Sequence, residues 1–393
     1  MICIKTKYFN LNRILLLAVG LWPYQQSRLV QLFVFNSLLN SIIIFQLLSF
    51  LTAECTPDFI ITVLSSVSVY FVSIIQYNSF WSNISTIRYL LDQLQDIYNK
   101  LKDENEIAIM ETYGRNAKRL TANISLLTMG SIVIFLSLPI WVRIIDIFLI
   151  LNNSQHGMIQ LTTEYFIDQE KYFYLILLHI DAATCIAGSG LTAIGLIYCA
   201  YFKHICGMFR IARNIVYSYR IKQAITLEKI FLENDLMIYK EMIYAIDMHR
   251  KAMKFSEDLL NSIEGSVFLS IISSVCCLSL NLFGIVWTTS TDFNIQKVVI
   301  HFGVVLMIVI CMFLANSTGQ EITDHNNHVF TTVYNTEWYI APLQTQKLIL
   351  FLLQRNNKPF ILNIRGIVIS SMECFTKLMK ASISYFTVIY SIH

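Results

Sequence analysis

The sequence predicts an all-α membrane protein of seven transmembrane helices. Its amino terminus is expected in the cytoplasm, its carboxyl terminus outside, and an intracellular helical bundle is expected to anchor the helices. Three observations carry this expectation. Only 14% of the 393 residues are charged while 55% are hydrophobic, where soluble domains average about 25% charged. Mean hydropathy is +0.56. Charge-poor runs of about 20 residues, the length that crosses a hydrocarbon core, recur along the chain, and the Lys and Arg between them alternate one-sidedly.

Residues 1–31 carry Lys5, Lys7, Arg13 and Arg28 and no acid. The apolar piece Ile14 to Trp22 is too short to span and is followed by Pro23 without a small-residue cleavage site. It is therefore expected as a helix lying at the cytoplasmic interface rather than as a signal peptide. The first span lies between Arg28 and Glu54, the second between Asp58 and Arg88, the third between Arg119 and Arg143. The fourth runs from Tyr172 to Phe202 and contains one carboxylate, Asp181. Glu264 and Asp292 bracket the fifth, Lys297 and Glu321 the sixth, and the seventh follows Pro359. The segments are thus 1–31 cytoplasmic, 32–202 the first four spans, 203–260 a cytoplasmic helical stretch, 261–320 spans five and six, 321–359 a cytoplasmic loop with an amphipathic helix, and 360–393 the last helix.

Loop charge fixes the orientation. Counting Lys and Arg gives four before the first span, none before the second, six before the third, one (Lys171) before the fourth, ten before the fifth, one before the sixth and three before the seventh. Positive charge stays inside, so seven spans from a cytoplasmic start leave the carboxyl terminus outside. A receptor coupled to G proteins has the opposite topology. A secondary transporter would show inverted repeats or paired broken helices, and the sequence shows neither. Residues 88–119 hold six acids and six bases at spacings that suit i,i+4 pairs, so the cytoplasmic stretches are expected to be helical and to pack into a bundle. On this topology the sequon Asn152-Asn153-Ser154 faces outside, which makes Asn152 a glycosylation candidate.

The last helix is expected to run unbroken from Phe360 to Ile392. Glu373, Lys377, Lys380, Ser384, Thr387 and Ser391 advance by steps of four and three and fall on one face. A polar stripe down an apolar helix is what a pore lining needs. Asp181 is expensive within a span and is a functional candidate on that ground. Gly188, Gly190, Ala193 and Gly195 on the same span form a small-residue patch best explained by close helix packing.

No nucleotide loop, nucleophile elbow or zinc-protease motif occurs, so no enzyme activity, catalytic residue, cofactor or metal site is assigned. The nine cysteines have no ligand spacing. His325-Asn326-Asn327-His328 is the one close histidine pair; it is taken as a solvated loop, with a metal pair as the alternative. A net charge of +3 with no basic block excludes nucleic acid as a partner.

Beyond pattern, the residues resemble those of a known family. Tyr334 and Trp338, the helix Lys347 to Leu353, Arg355 with Lys358-Pro359, Phe375, and Lys380-Ala381-Ser382-Ile383-Ser384-Tyr385-Phe386-Thr387 near the carboxyl terminus resemble the carboxyl-terminal signature of insect odorant receptors. Gly20-Leu21-Trp22-Pro23, Tyr165-Phe166 through Tyr172, and Ala245-Ile246-Asp247 with His249-Arg250 agree with it.

The resemblance implies a tuning subunit of an odorant-gated, nonselective cation channel, paired with the family's coreceptor in a heterotetramer of the plasma membrane. The sensory neuron dendrite is the expected location. It implies a volatile small-molecule ligand held in the outer bundle by Tyr70 and Phe71 of the second span, Ser137 and Trp141 of the third, and Ala183 and Ala187 of the fourth. It also places the constriction at Val388 and Ile392, which leaves Ser384, Thr387 and Ser391 as flanking pore lining or subunit interface. A gustatory receptor of the same superfamily is the alternative. The ending Ser391-Ile392, in place of the Gln-Phe of that branch, favours the odorant side.

Overall fold

The structure, a computed structural model, describes residues 4–26, 29–101, 103–149, 162–169, 171–226, 232–290, 295–336, 338–355 and 360–392. Asn152 and the Lys358-Pro359 pair lie outside these residues. The elements are α1 (Ile4–Lys7), α2 (Asn10–Ala18), α3 (Leu29–Leu48), α4 (Pro57–Ser82), α5 (Ile84–Lys100), α6 (Glu104–Leu149), α7 (Phe173–Thr226), α8 (Leu232–Ser290), α9 (Ile295–Tyr334), α10 (Leu343–Arg355), a two-strand hairpin β1 (Asn363–Ile364) and β2 (Val368–Ile369), and α11 (Met372–Ile392).

Local chemistry sets the helix starts. At α4 the Thr56 hydroxyl accepts the Phe59 N–H and Pro57 opens the first turn. At α6 the Asp103 carboxylate accepts the Asn105 N–H at 3.0 Å, and Glu104 and Glu106 sit in the first turn, where negative charge offsets the helix dipole. Ser371 accepts the Cys374 N–H at 3.2 Å and caps α11.

Among the described residues, six helices are long and apolar enough to cross a membrane: Leu29–Leu51, Phe59–Ser82, Glu104–Trp141, Phe173–Ser218, Tyr239–Ser290 and Ile295–Tyr334. They hold the first six spans expected from charge-free runs. The 21-residue α11 supplies the seventh. Helix α7 has 54 residues and α8 has 59. At 1.5 Å per residue they reach about 80 and about 90 Å, against roughly 30 Å of hydrocarbon. The excess length packs with α2, α5, α6 and α10 into a bundle continuous with the spans, around Phe9, Leu90, Leu94, Phe209, Phe255, Phe330 and Ile349. Ala245, Ile246 and Trp338 pack in or against the same core, so much of the sequence signature serves this bundle.

Two expectations need correction. The last helix does not begin at Phe360. Phe360, Leu362 and Ile364 are buried, and the chain then turns through β1 and β2. The Ile364 carbonyl accepts the Ile367 N–H at 3.1 Å, with Arg365 and Gly366 at φ 53° and 72°. Positive φ at both central residues is what a tight hairpin turn demands, and it stops any helix there. The second correction concerns His325 to His328, which lie inside α9 and not in a loop. Asn326 is fully buried and bonds His249 across the bundle at 2.9 Å. The stretch around α2 buries one face in the bundle, with Leu16 and Leu21 buried and Ile14 exposed and the Val19 carbonyl accepting from Tyr77 Oη at 2.9 Å.

Candidate functional site

Helices α3, α4 and α7 carry polar side chains within their apolar runs. On α7, Ile180 turns its carbonyl to the Thr184 hydroxyl at 2.9 Å. That hydroxyl has one proton, so the Tyr70 hydroxyl from α4 donates to Thr184 Oγ1, also at 2.9 Å. Tyr70 is 4% exposed. One turn earlier on α4, Ser66 accepts from the amide of Gln46 on α3 at 2.9 Å. His179 of α7 is held from two sides, by Ser41 at 2.9 Å and by Tyr165 at 2.7 Å. Tyr165 stacks on Phe45 with ring centroids 4.2 Å apart. The segment 162–169 is tied down on α3 by a Glu164 N–H to Phe45 carbonyl bond of 2.9 Å and by Thr52 on the Glu164 carboxylate, also 2.9 Å.

The sequence-derived ligand residues divide. Tyr70 lies in this cluster. Ala183 and Ala187 are buried on α7, but the residue that meets Tyr70 is Thr184. Its neighbour one turn on, Gly188, faces α6: a Cβ there would touch Ile132 at 3.1 Å. A Cβ on Gly190 would meet Phe35 of α3 at 2.9 Å, so the small-residue patch does serve close packing at these two positions. Ser137 is half-buried and spends its hydroxyl on the Ile134 carbonyl at 2.8 Å. Phe71 and Trp141 are 53% and 59% exposed on outward faces. Gln46, Ser66, Tyr165, His179 and Thr184 were missed. The available signal was a Gln and a His inside apolar runs.

Helix α11 packs Phe375, Leu378, Met379 and Ala381 on Val275 and Leu278 of α8 and Met312 of α9. The Ser279 hydroxyl of α8 donates to the Ser382 carbonyl at 2.9 Å, pinning the middle of the helix. The opposite face is open. Ser384, Thr387 and Ser391 are exposed together with Ile383, Tyr385, Val388 and Tyr390. Glu373 and Lys377 pair across one turn at 2.7 Å at its base. Ile392 ends α11, and its side chain lies outside the described residues.

One metal-like cluster occurs among the described residues. Cys206, Glu321 and His325 bring ligand atoms within 4.8 Å of one another. Glu321 is already held by Lys203, and His325 by Tyr113. These bonds tie α6, α7 and α9 together and use the donors a metal would need.

An all-α bundle of this kind, with six helices among the described residues long and apolar enough to cross a membrane, a polar cluster at one end and one open-faced helix, defines a multi-pass membrane protein. Residues 56–383 match the family model described as 7tm Odorant receptor, and the chain belongs to that family. Among curated proteins it is 21% identical over 269 residues to odorant receptor 92a of Drosophila melanogaster, covering 63% of this chain and 64% of that one. It is 19% identical over 161 residues to odorant receptor Or2 of Anopheles gambiae, 40% of each. The chain thus spans just under two thirds of the first of these relatives. Among solved structures it superposes on the olfactory receptor OR5 of Machilis hrabei in complex with eugenol with a TM-score of 0.82 at 13% identity, over 99% of this chain and 98% of that one. The fold is shared nearly end to end.

Proposed function

We propose that this protein is an odorant receptor that acts as the tuning subunit of an odorant-gated, nonselective cation channel. It works with the family's coreceptor in the plasma membrane of an olfactory neuron. The observation that carries the reading is the open face of α11. Its other face is packed on α8 and α9, while Ile383, Tyr385, Val388 and Tyr390 stay uncovered beside Ser384, Thr387 and Ser391. An isolated membrane helix gains little by showing such a mixed face to lipid. Facing copies from other subunits would cover it and leave a lining of hydroxyls around apolar side chains, which can close a pore by dewetting. Val388 and Ile392 are the proposed constriction.

The ligand is a volatile small molecule taken up in the outer bundle beside Tyr70, with Ala183 and Ala187 behind the Thr184 face and Phe71, Ser137 and Trp141 at its edge. It acts by binding the open state more tightly than the closed one. The test is a pair of measurements on cells expressing this chain with the coreceptor. A tag after His393 should stain without permeabilisation, and volatiles should evoke inward currents that neither subunit gives alone. A tag that stains only after permeabilisation, on cells where an outer-loop tag confirms surface delivery, refutes the pore assignment.

A further inference from the structure

Most polar groups of the outer bundle are hydrogen-bonded, but the Thr62 hydroxyl on α4 and two further buried atoms are not, among the described residues. Asp181 Oδ1 on α7 and Gln46 Oε1 on α3 are shut from solvent and accept no hydrogen bond among the described residues. Both are acceptors. Three donors of the cluster are committed: Tyr70 gives its proton to Thr184, Thr184 gives its own to the Ile180 carbonyl, and the Gln46 amide gives to Ser66. A buried carboxylate oxygen without a donor is costly enough to demand a partner.

Position makes that partner a ligand. Asp181, Thr184, Cys185 and Gly188 follow one another at intervals of three, one and three and share a face of α7. That face meets Tyr70 at Thr184 and α6 at Gly188. It is the wall of the proposed ligand site, not the wall packed on α3, which is built from Gly190 against Phe35. We infer that this receptor is tuned to ligands bearing a hydrogen-bond donor, an alcohol, phenol or amine, and that the Asp181 carboxyl group receives that donor while the aromatic side chains take the carbon skeleton. The inference rests on the receptor reading above and adds the ligand class and the residue that selects it.

The test uses the full chain with its coreceptor and probes that differ only in the donor. These are 2-phenylethanol, 2-phenylethylamine and the methyl ether of the alcohol, with eugenol and its methyl ether as a second skeleton. In the wild type the donor-bearing members should act at concentrations about ten- to a hundredfold lower than the ethers, the range of a hydrogen bond to a charged group. Asp181→Ala should collapse that ratio towards one while the ethers keep their potency. Asp181→Asn, which keeps an acceptor but no charge, should retain the preference for the alcohol and lose that for the amine. It serves as the test if Asp181→Ala fails to reach the surface. Ethers equal to or better than their donor partners, or a ratio that Asp181→Ala leaves unchanged, overturns the inference and leaves the receptor standing. Silence of a surface-stained wild type towards every probe overturns the receptor reading as well.

Discussion

Replacing Gly319 by alanine sets two effects against each other, and the structure decides between them. Within a helix, Gly→Ala gains about 0.8–1 kcal/mol through reduced backbone freedom and better propensity. Gly319 of α9, however, is where the β1–β2 hairpin lies against the bundle. A Cβ there would stand 2.1 Å from Ser370 Oγ, 2.5 Å from its Cβ and 2.8 Å from its carbonyl oxygen. The hydroxyl can rotate away, but only by giving up its 3.0 Å bond to the Ala315 carbonyl, a loss of about 0.5–1.5 kcal/mol. The carbonyl oxygen belongs to the backbone and moves only with the hairpin. Overpacking of this kind costs about 1–3 kcal/mol.

The losses exceed the gain, so Gly319→Ala should be destabilised by about 0.5–3.5 kcal/mol. Gly303 on the same helix provides the control, since nothing lies within 4 Å of its would-be Cβ. Gly303→Ala should be neutral or gain up to about 1 kcal/mol. The assay is the thermal midpoint of the purified protein in detergent at one fixed scan rate, because unfolding of such proteins is rate-controlled. Gly319→Ala should melt below the wild type, and Gly319→Ala with Ser370→Gly should recover part of the loss. Gly319→Ala melting at or above the wild type, alongside Gly303→Ala, would refute the contact between α9 and the hairpin that roots α11.

Three further outcomes are expected. Ser279→Ala removes the bond to the Ser382 carbonyl, costs about 1 kcal/mol, and should raise ligand-free leak current in patch-clamp recordings by loosening α11 on α8. Val388→Ala should alter conduction or leak with ligand sensitivity unchanged, and Trp141→Ala should shift the dose–response curve with conduction unchanged; the opposite pattern would exchange their roles. The third concerns the amino terminus, where Tyr24 Oη donates to Asp92 at 2.6 Å and Lys5 Nζ bonds both, at 2.8 and 2.9 Å. Burial pushes the Asp92 carboxyl up, but the hydrogen bonds from Tyr24 and Lys5 outweigh it and hold it below its ordinary value. Burial pulls Lys5 down, and the bonds to Tyr24 and Asp92 outweigh that too, holding it above its ordinary value. A lowered acid stabilises the fold above its unfolded value, and that contribution is lost as pH falls through the folded one; a raised base stabilises below its unfolded value and loses the contribution as pH rises through the folded one. The clamp is therefore intact between roughly pH 4 and 10. Below that window, or in Asp92→Asn at neutral pH, limited proteolysis near the amino terminus should quicken modestly. Asp92 is 51% exposed, and solvent-screened pairs of this kind contribute less than about 1 kcal/mol.

What the sequence made legible is what lipid enforces. A bilayer core admits no stray charge, so the first six spans stood out as runs between Arg28, Glu54, Asp58 and their successors, and all six are helices. Where lipid ends, that constraint ends. The extensions of α7, α8 and α9 are long because their apolar periodicity continues into the cytoplasmic bundle, and the burial of Asn326 depends on His249, a partner 77 residues away. A local pattern of four polar residues could only look solvated. The start of α11 was obscured for the converse reason. Two residues, Arg365 and Gly366, make the hairpin by adopting positive φ, and a single Gly among apolar neighbours carries little weight against a helically spaced stripe from Glu373 to Ser391.

The ligand site shows the deeper reason. Ala183 and Thr184 are one residue apart, and one residue is about 100° of helical rotation. Apolar spans give that rotation almost no signal, because every face of a membrane helix is permitted to be apolar. Rotation is set by steric facts between helices: Phe35 filling the gap at Gly190, Ile132 that at Gly188, and the Tyr70 hydroxyl finding Thr184. Once those contacts orient α7, Asp181 stops being an oddly placed acid in a fourth span. On the proposal above it becomes the acceptor on the wall that Tyr70 faces, and a carboxylate oxygen without a donor among the described residues is accounted for by a ligand that brings one.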